Sequence, residues 1–215
     1  MLGIFIFGCS IGVYNYPRTV EKDRLSLNVG YFATIRDSYS YIYGPYVSVV
    51  GYPEIFLRYG LEDNLDVGLR LFGLGFLSDV KYQFLGDKES FLASSFDLEF
   101  GATYLPFPLN YYSYSPSMIF NLGVATLFDV MWIKLFSTYF GLKFRFTYSI
   151  FSPPYFTGSD NLTVPSPVGI LFIGIFGISF LNGYNYGVNF ELSFMKSLLS
   201  DAWGVSPSLI VRVKF

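Results

Sequence analysis

The feature that most constrains the fold of this chain is an alternation of apolar and polar residues through residues 54–85, EIFLRYGLEDNLDVGLRLFGLGFLSDVKYQFL. Ile55 and Leu57 fall on one side of an extended segment, whereas Glu54 and Arg58 fall on the other. The alternation restarts after each of two short turns, so three consecutive segments share it. Because successive side chains of a β-strand point to opposite faces, the pattern predicts three strands joined by tight turns.

The composition indicates that the apolar face of these strands contacts lipid. Hydrophobic residues make up 52% of the chain, aromatic residues 21% and charged residues 14%, whereas soluble domains carry about 25% charged residues. No run of about 20 apolar residues is present that would serve as a membrane-spanning helix; the nearest, residues 167–181, is too short and contains glycines. Since backbone groups in lipid must all be paired, strands span a bilayer only as a closed barrel. The predicted fold is therefore all-β, a transmembrane antiparallel up-and-down β-barrel.

The same alternation along the chain predicts about ten strands, with eight or twelve as alternatives. The predicted strands are residues 24–36, about 46–61, 66–72, 76–85, 90–104, 117–128, 132–149, 168–181, 184–196 and 203–215. Residues 24–215 thus form the predicted barrel domain. Two points stay open: residues 168–181 are apolar on both faces, so their orientation is undecided, and Pro53 predicts a bulge or a strand-edge irregularity.

The lengths of the connections predict which end of the barrel faces the periplasm. Short turns are predicted at residues 62–64, 86–89, 129–131 and 182–183, and all of them fall at one end. The long loops, together with the tight turn at residues 73–75, fall at the other end. Because membrane barrels have short periplasmic turns and longer outer loops, the first end is predicted to be periplasmic.

Residues 1–23 are predicted to be a remnant of an export signal followed by a periplasmic lead. An apolar stretch, MLGIFIFG, precedes the single cysteine, Cys9. Residues 6–9 resemble the lipobox of bacterial lipoprotein signal peptides, in which a small residue precedes the acylated cysteine, but the basic n-region is missing and Phe7 is bulky. Lipidation of Cys9 is one interpretation; an ordinary export signal and mature chain are the others.

The last residues, VSPSLIVRVKF, end the chain on an aromatic residue and place one apolar set on a single face: Leu209, Val211, Val213 and Phe215. This segment resembles the C-terminal signature of bacterial outer-membrane β-barrels, which the barrel-insertion machinery is understood to recognise. The hairpin of residues 58–71 likewise resembles hairpins of uncharacterised outer-membrane barrels. The resemblance implies location in the outer membrane of a Gram-negative-type bacterium, with outer-membrane lipids and the insertion machinery as partners.

Charged residues of both signs alternate toward the predicted lumen. We call twelve of them the lumen network: Glu54, Arg58, Asp66, Arg70, Asp79, Lys81, Asp97, Glu99, Lys143, Arg145, Glu191 and Arg212. Three further cations are expected to point inward as well: Arg24, Arg36 and Lys214. About eight strands enclose an interior that side chains just fill, whereas 16 to 18 leave a channel. At about ten strands an ion-pair core is therefore expected, around Glu54, Arg58, Asp97, Glu99 and Arg145.

Two functions remain open for such a barrel. One is a closed barrel with a structural role or with a surface partner bound through the loops at residues 105–116 and 151–166. The other is a narrow passive channel for small solutes, slightly anion-preferring because Arg and Lys slightly outnumber Asp and Glu in the lumen.

Several other classes are not predicted. The sequence has no histidine and no G-x-S-x-G, so no Ser-His or Asp-His pair is available to activate a nucleophile or water, and an enzyme is not expected. With one cysteine and no histidine, no metal site, cofactor or internal disulfide is predicted. The net charge of −2, without a basic stripe, predicts no nucleic-acid partner.

Overall fold

The chain forms a closed antiparallel β-barrel in the computed structural model, and each strand pairs with its neighbours in the chain. The structure describes residues 16–40, 44–87, 89–105, 117–151, 168–181, 185–199 and 203–215. Within these residues the strands are β1 (Leu25–Ser40), β2 (Gly44–Glu62), β3 (Leu65–Phe72), β4 (Gly75–Leu85), β5 (Leu92–Leu105), β6 (Ser117–Ile133), β7 (Phe136–Phe151), β8 (Val168–Phe180), β9 (Tyr186–Ser197) and β10 (Trp203–Lys214). The predicted up-and-down barrel of about ten strands is confirmed.

The barrel closes where β1 pairs with β10. The seam runs to the last residue, because the Phe215 N–H donates to the Leu25 carbonyl at 2.8 Å and the Leu25 N–H donates to the Phe215 carbonyl at 3.3 Å. The described part of the chain contains no helix that is long and apolar enough to cross a membrane.

The outer surface of the barrel is apolar between two belts of aromatic side chains. Exposed tyrosine and tryptophan residues lie near one end at Tyr59, Tyr82, Trp132 and Tyr186, and near the other at Tyr104, Tyr148 and Trp203, with Tyr31 as the exception. Between them the exposed side chains include Leu69, Leu98, Leu122, Leu142 and Phe190. An apolar band with an aromatic belt at each margin is the surface of a barrel that sits in lipid.

The two ends of the barrel differ in their connections. The short-turn end, as we call it, carries residues 63–64, 86–87, 89–91 and 134–135 and the terminal Phe215. The long-loop end carries the connections at residues 106–116 and 152–167, whose structure lies outside the described residues, and the tight turn at residues 73–74. The predicted segregation of short turns and long loops is therefore correct for the described connections, whereas the predicted hairpin at residues 182–183 lies outside them.

Two of the predicted connections are wrong. The turn expected at residues 129–131 is part of β6, where Asp129 pairs with Tyr139 and Met131 with Ser137, so the chain turns at residues 134–135 instead. The loop expected after Arg36 is also strand, because the β1–β2 ladder continues until Ser40 pairs with Gly44. In both places the strand pairing continues through the residues at which a turn or loop was predicted.

The structure also resolves the two points that the sequence leaves open. Pro53 is not a bulge, since it pairs in register with Tyr31, but it does lie at an edge, because the β2–β3 ladder begins one residue later at Glu54. The irregularity of β2 lies between Gly60 and Glu62. In β8 the inward side chains include Ile173, Ile175 and Ser179, and the outward ones Phe176 and Phe180.

Candidate functional site

All twelve side chains of the lumen network are buried inside the barrel, none more than 5% exposed. Their inward position follows from the period-two alternation of the strands that carry them. The three further cations behave differently. Arg24 is exposed, because it precedes β1, and its predicted inward position is wrong; Lys214 is half-buried. The Arg36 side chain is outside the described part.

Arg58 is the centre of one group of charges. Its guanidinium lies 3.1 Å from the Asp66 carboxylate and also contacts Asp79. The ring of Phe56 lies 5.0 Å from the guanidinium carbon of Arg58 and 5.0 Å from that of Arg70. An aromatic face adjacent to two desolvated cations stabilises their charge.

Glu99 is the centre of a second group. It accepts a hydrogen bond from Arg145 Nε at 2.7 Å and forms a salt bridge with Lys143. Gly123 makes room for this carboxylate, because a side chain at Gly123 would clash with it. One acidic residue here holds two cations, so the three side chains depend on one another.

The remaining members divide between separate partners. Glu54 lies 3.7 Å from Arg70 and not beside Arg58. Asp97 and Lys81 are cross-strand neighbours on β5 and β4, and Glu191 accepts a hydrogen bond from the Tyr139 hydroxyl at 3.1 Å. Of the five residues expected to form a single core, Glu99 is hydrogen-bonded to Arg145, and Asp97 interacts electrostatically with Arg58 and Glu99. Glu54 pairs instead with Arg70.

The buried charges are balanced among the described residues. The buried charged side chains are seven cations, Arg18, Arg58, Arg70, Lys81, Lys143, Arg145 and Arg212, and seven carboxylates, Glu54, Asp66, Asp79, Asp97, Glu99, Asp129 and Glu191. Burying an unpaired charge is strongly unfavourable, so a lumen that contains little water requires equal numbers of buried cations and carboxylates.

A second component of the lumen is the segment of residues 16–23, which we call the N-terminal segment. Tyr16, Arg18, Thr19 and Val20 in it are all buried. The described part of the predicted periplasmic lead therefore does not run free of the barrel; it folds inside the short-turn end. After Glu21 a turn with Asp23 at a φ of 57° leads the chain into β1.

Arg18 fixes the N-terminal segment to the wall at one side. Its Nε lies 2.5 Å from the carboxylate of Asp129 on β6. The same guanidinium donates to the backbone carbonyl of Ser90 at 2.7 Å and to that of Asp87. Three nitrogens of one guanidinium thus donate to three different acceptors, which uses the planar donor geometry of arginine that lysine lacks.

Further hydrogen bonds fix the same segment to β3 and β4. The Thr19 N–H donates to the side-chain oxygen of Gln83 at 3.0 Å, and the Val20 N–H donates to the Asp66 carboxylate at 2.8 Å. Lys81 donates to the Tyr16 carbonyl at 2.5 Å. The segment is thus bonded to residues of the lumen network. Asp66 both pairs with Arg58 and accepts the hydrogen bond from the Val20 N–H.

Aromatic contacts hold the innermost residue, Tyr16. Its ring meets that of Tyr139 edge-on at 6.0 Å between centroids, and the Arg212 guanidinium lies 4.7 Å from the ring centroid. Burial raises the pKa of Tyr16 to about 12, and the nearby Asp129 acts in the same direction. The phenol consequently stays protonated at physiological pH, as an uncharged ring in the lumen.

Apolar side chains fill much of the rest of the lumen. They form one buried cluster with Tyr16 and Tyr139: Phe32, Phe56, Leu127, Ile173, Ile175, Met195 and Ile210. A residual void of about 10 Å³ lies beside Phe32 and Arg70. A void of that size holds about one water molecule at most.

A larger cavity, which we call the vestibule, lies at the short-turn end between the N-terminal segment and the barrel wall. Its volume is about 440 Å³. It extends from exposed residues of the turns, such as Lys134, to Arg58 and Lys81 in the lumen network.

Sequence reasoning missed Tyr16, Arg18, Asp129 and Tyr139. Asp129 and Tyr139 carried a usable signal, since both continue the inward alternation of their strands. Tyr16 and Arg18 carried none, because the segment before β1 has no periodicity. Among the described residues, no group of three or more His, Cys, Asp or Glu could hold a metal ion.

The remaining predicted residues are placed as follows. Leu209, Val211 and Phe215 are exposed on the outer surface, and Val213 is half-buried on the same face. Cys9 and the loops at residues 106–116 and 152–167 lie outside the described residues.

No protein-family model matches the sequence, and neither does any curated protein. The chain is similar to the solved structure of Ail, the attachment invasion locus protein of Yersinia pestis, with 12% identity, 90% of this chain and 99% of that chain covered, and a TM-score of 0.42. It is similar to Neisserial surface protein A, with 14% identity, coverage of 88% and 97%, and a TM-score of 0.41. It is also similar to an outer membrane channel of Pseudomonas putida F1, with 9% identity, coverage of 95% and 100%, and a TM-score of 0.49.

Bacterial outer-membrane barrels are the class that the C-terminal motif predicts, and these three structures belong to that class. They are described as an attachment protein, a surface protein and a channel, so the barrels that this chain resembles do not share one role.

Proposed function

We propose that the chain is an integral outer-membrane β-barrel with a closed lumen, and that its role is structural or surface-binding. The observation that carries the proposal is the filling of the lumen. Seven buried cations and seven buried carboxylates neutralise one another, and the N-terminal segment occupies the short-turn end. A pore for hydrated ions would need space that these side chains occupy.

The orientation and partners follow from the outer surface. The apolar band between aromatic belts supports contact with outer-membrane lipids, and the short-turn end then faces the periplasm. The exposed Leu209, Val211 and Phe215 support recognition of the last strand by the barrel-insertion machinery. A surface partner would bind the loops at residues 105–116 and 151–166.

Planar-bilayer recording of the full chain tests the closed lumen. We expect no stepwise conductance in molar potassium chloride, because buried ion pairs are screened far less by salt than exposed ones. A general porin recorded under the same conditions controls for the bilayer, and slower migration of boiled protein on a gel controls for folding. Reproducible conductance steps from the full chain would overturn the proposal.

The second candidate function, a narrow channel, is favoured by the vestibule, which already leads from the short-turn end to Arg58 and Lys81. Conduction would then require the N-terminal segment to leave. A variant that lacks residues 1–23 separates the two functions. If the lumen network closes the barrel, this variant is as silent as the full chain; if the segment is a gate, the variant conducts where the full chain does not.

A further inference from the structure

The vestibule is lined by an excess of positive charge. Six cations face it, Arg18, Arg58, Lys81, Lys134, Arg212 and Lys214, against two carboxylates, Glu21 and Glu89. Asp66 and Asp79 pair with Arg58 but do not line the cavity. Of these three side chains, only the cation Arg58 therefore faces the vestibule. A concave site with this arrangement concentrates anions.

The strand register places three donors side by side on the wall of the vestibule. Ser26 on β1 is directly opposite Lys214 on β10 and directly opposite Arg58 on β2. Directly opposed residues have Cβ atoms about 4.5–5.5 Å apart. One layer deeper, the register places Asn28 between Arg212 and Phe56. A hydroxyl flanked by an ammonium and a guanidinium group is a suitable set of donors for one oxyanion.

The Ser26 hydroxyl is an independent sign of a ligand. The side chain is 1% exposed, and its oxygen has no hydrogen-bond partner among the described residues. A buried hydroxyl without a partner is unfavourable. Rotation of the Ser26 side chain toward the vestibule would let an oxyanion there accept its hydrogen bond.

We propose that the vestibule binds a small soluble molecule through a phosphate or carboxylate group, with Ser26, Arg58 and Lys214 as the donors to the oxyanion. Its volume of about 440 Å³ exceeds what a single inorganic ion needs and falls within the range of about 300–1,000 Å³ of sites for small organic ligands. In the proposed orientation the ligand enters from the periplasm. The site does not depend on whether the lumen conducts.

Isothermal titration calorimetry of the full chain in a nonionic detergent tests the proposal. Glycerol 3-phosphate and succinate are the two anionic probes, glycerol is the neutral control, and dihexanoyl phosphatidic acid tests a lipid headgroup as the source of the phosphate. We expect one soluble anion to bind at one site per chain, more weakly as salt increases. Absence of heat with both soluble anions, or binding of the lipid alone, would overturn the proposal.

Two variants with matched controls locate the site. We expect Ser26→Ala and Lys214→Gln each to weaken binding about tenfold. Ser206→Ala is the control for the first, because Ser206 is equally buried and its hydroxyl also has no described partner, but it does not line the vestibule. Lys196→Gln, at an exposed position away from the cavity, is the control for the second.

Misfolding does not explain the expected loss in Ser26→Ala, since removal of an unsatisfied buried hydroxyl leaves the thermal stability equal or higher. If Ser26→Ala and Ser206→Ala weaken anion binding equally, the vestibule is not the site.

Discussion

Arg18 and Asp129 are 111 residues apart in the chain, and their side chains meet at 2.5 Å inside the barrel. Arg18 precedes the first strand, whereas Asp129 lies on the inner face of β6. Because β6 lies across the barrel from β1, the N-terminal segment crosses the barrel interior, and this contact joins it to the far wall.

The first prediction concerns this contact. Arg18→Ala should release the N-terminal segment while the barrel stays folded, because the segment loses its ion pair and two hydrogen bonds to carbonyl groups. Hydrogen exchange measured by mass spectrometry should show the amides of Arg18, Thr19 and Val20 exchanging at least about tenfold faster. The matched control is Lys22→Ala, which removes only an exposed pair with Glu62. Equal exchange in the two variants would contradict the anchoring role of Arg18.

A glycine provides the second prediction. The N-terminal segment crosses β2 so closely at Gly60 that any Cβ there would clash with the backbone carbonyl of Glu21. Gly60→Ala should displace the segment. The displacement can be followed in a Cys9→Ser, Thr19→Cys parent by the rate at which the new thiol reacts with a water-soluble maleimide. Labelling should be faster than in the parent. The control is Gly174→Ala, where a Cβ meets nothing within 4 Å, and it should be labelled at the rate of the parent. If Gly60→Ala is labelled no faster than the parent, the close approach at Gly60 tolerates a side chain.

The third prediction concerns Glu99, which holds both Lys143 and Arg145. Glu99→Gln should lower the free energy of unfolding by about 3–5 kcal/mol, because it leaves buried cations without their counter-charge. Urea titration in lipid vesicles, followed by tryptophan fluorescence, measures the change. The control, Glu62→Gln, breaks an exposed pair and should leave the free energy of unfolding nearly unchanged. Similar stabilities for the two variants would mean that the lumen is hydrated enough to solvate these cations.

The fourth prediction tests the aromatic belts. Trp132 and Trp203 are both exposed and lie near opposite ends of the barrel. In each single-tryptophan variant, made by replacing the other tryptophan with phenylalanine, lipids brominated near the headgroup should quench the fluorescence more than lipids brominated near the chain ends. Stronger quenching of either tryptophan by the deeply brominated lipid would place its belt in the hydrocarbon interior and contradict the assignment of that belt to the membrane margin.

Much of this fold is predictable because the strand period is local. Ile55 and Arg58 point to opposite faces whatever β2 pairs with, and burial follows from the face. Asp129 was misread since Asp, taken alone, favours a turn, while the β6–β7 ladder that holds it in a strand is formed with residues farther along the chain.

The pairing inside the lumen was not predictable in the same way. Alternation gives Glu54 and Arg58 the same face, but the stagger between strands decides that Arg58 meets Asp66 and Asp79. Arg18 presents a harder case: no sequence period marks the N-terminal segment, and its partners lie on turns and strands that come together only when the barrel is closed.

The seam between β1 and β10 links assembly to the contents of the barrel. β1 forms this seam and is joined through the turn at Asp23 to the N-terminal segment. One continuous stretch of chain therefore closes the barrel and also occupies its lumen at the short-turn end. If β1 moves away from β10, it pulls on the N-terminal segment, which is bonded to Asp66, Gln83 and Asp129 on three other strands. Opening the seam between Leu25 and Phe215 therefore also strains the hydrogen bonds and the ion pair that hold the N-terminal segment in the lumen, so the segment stabilises the closed barrel.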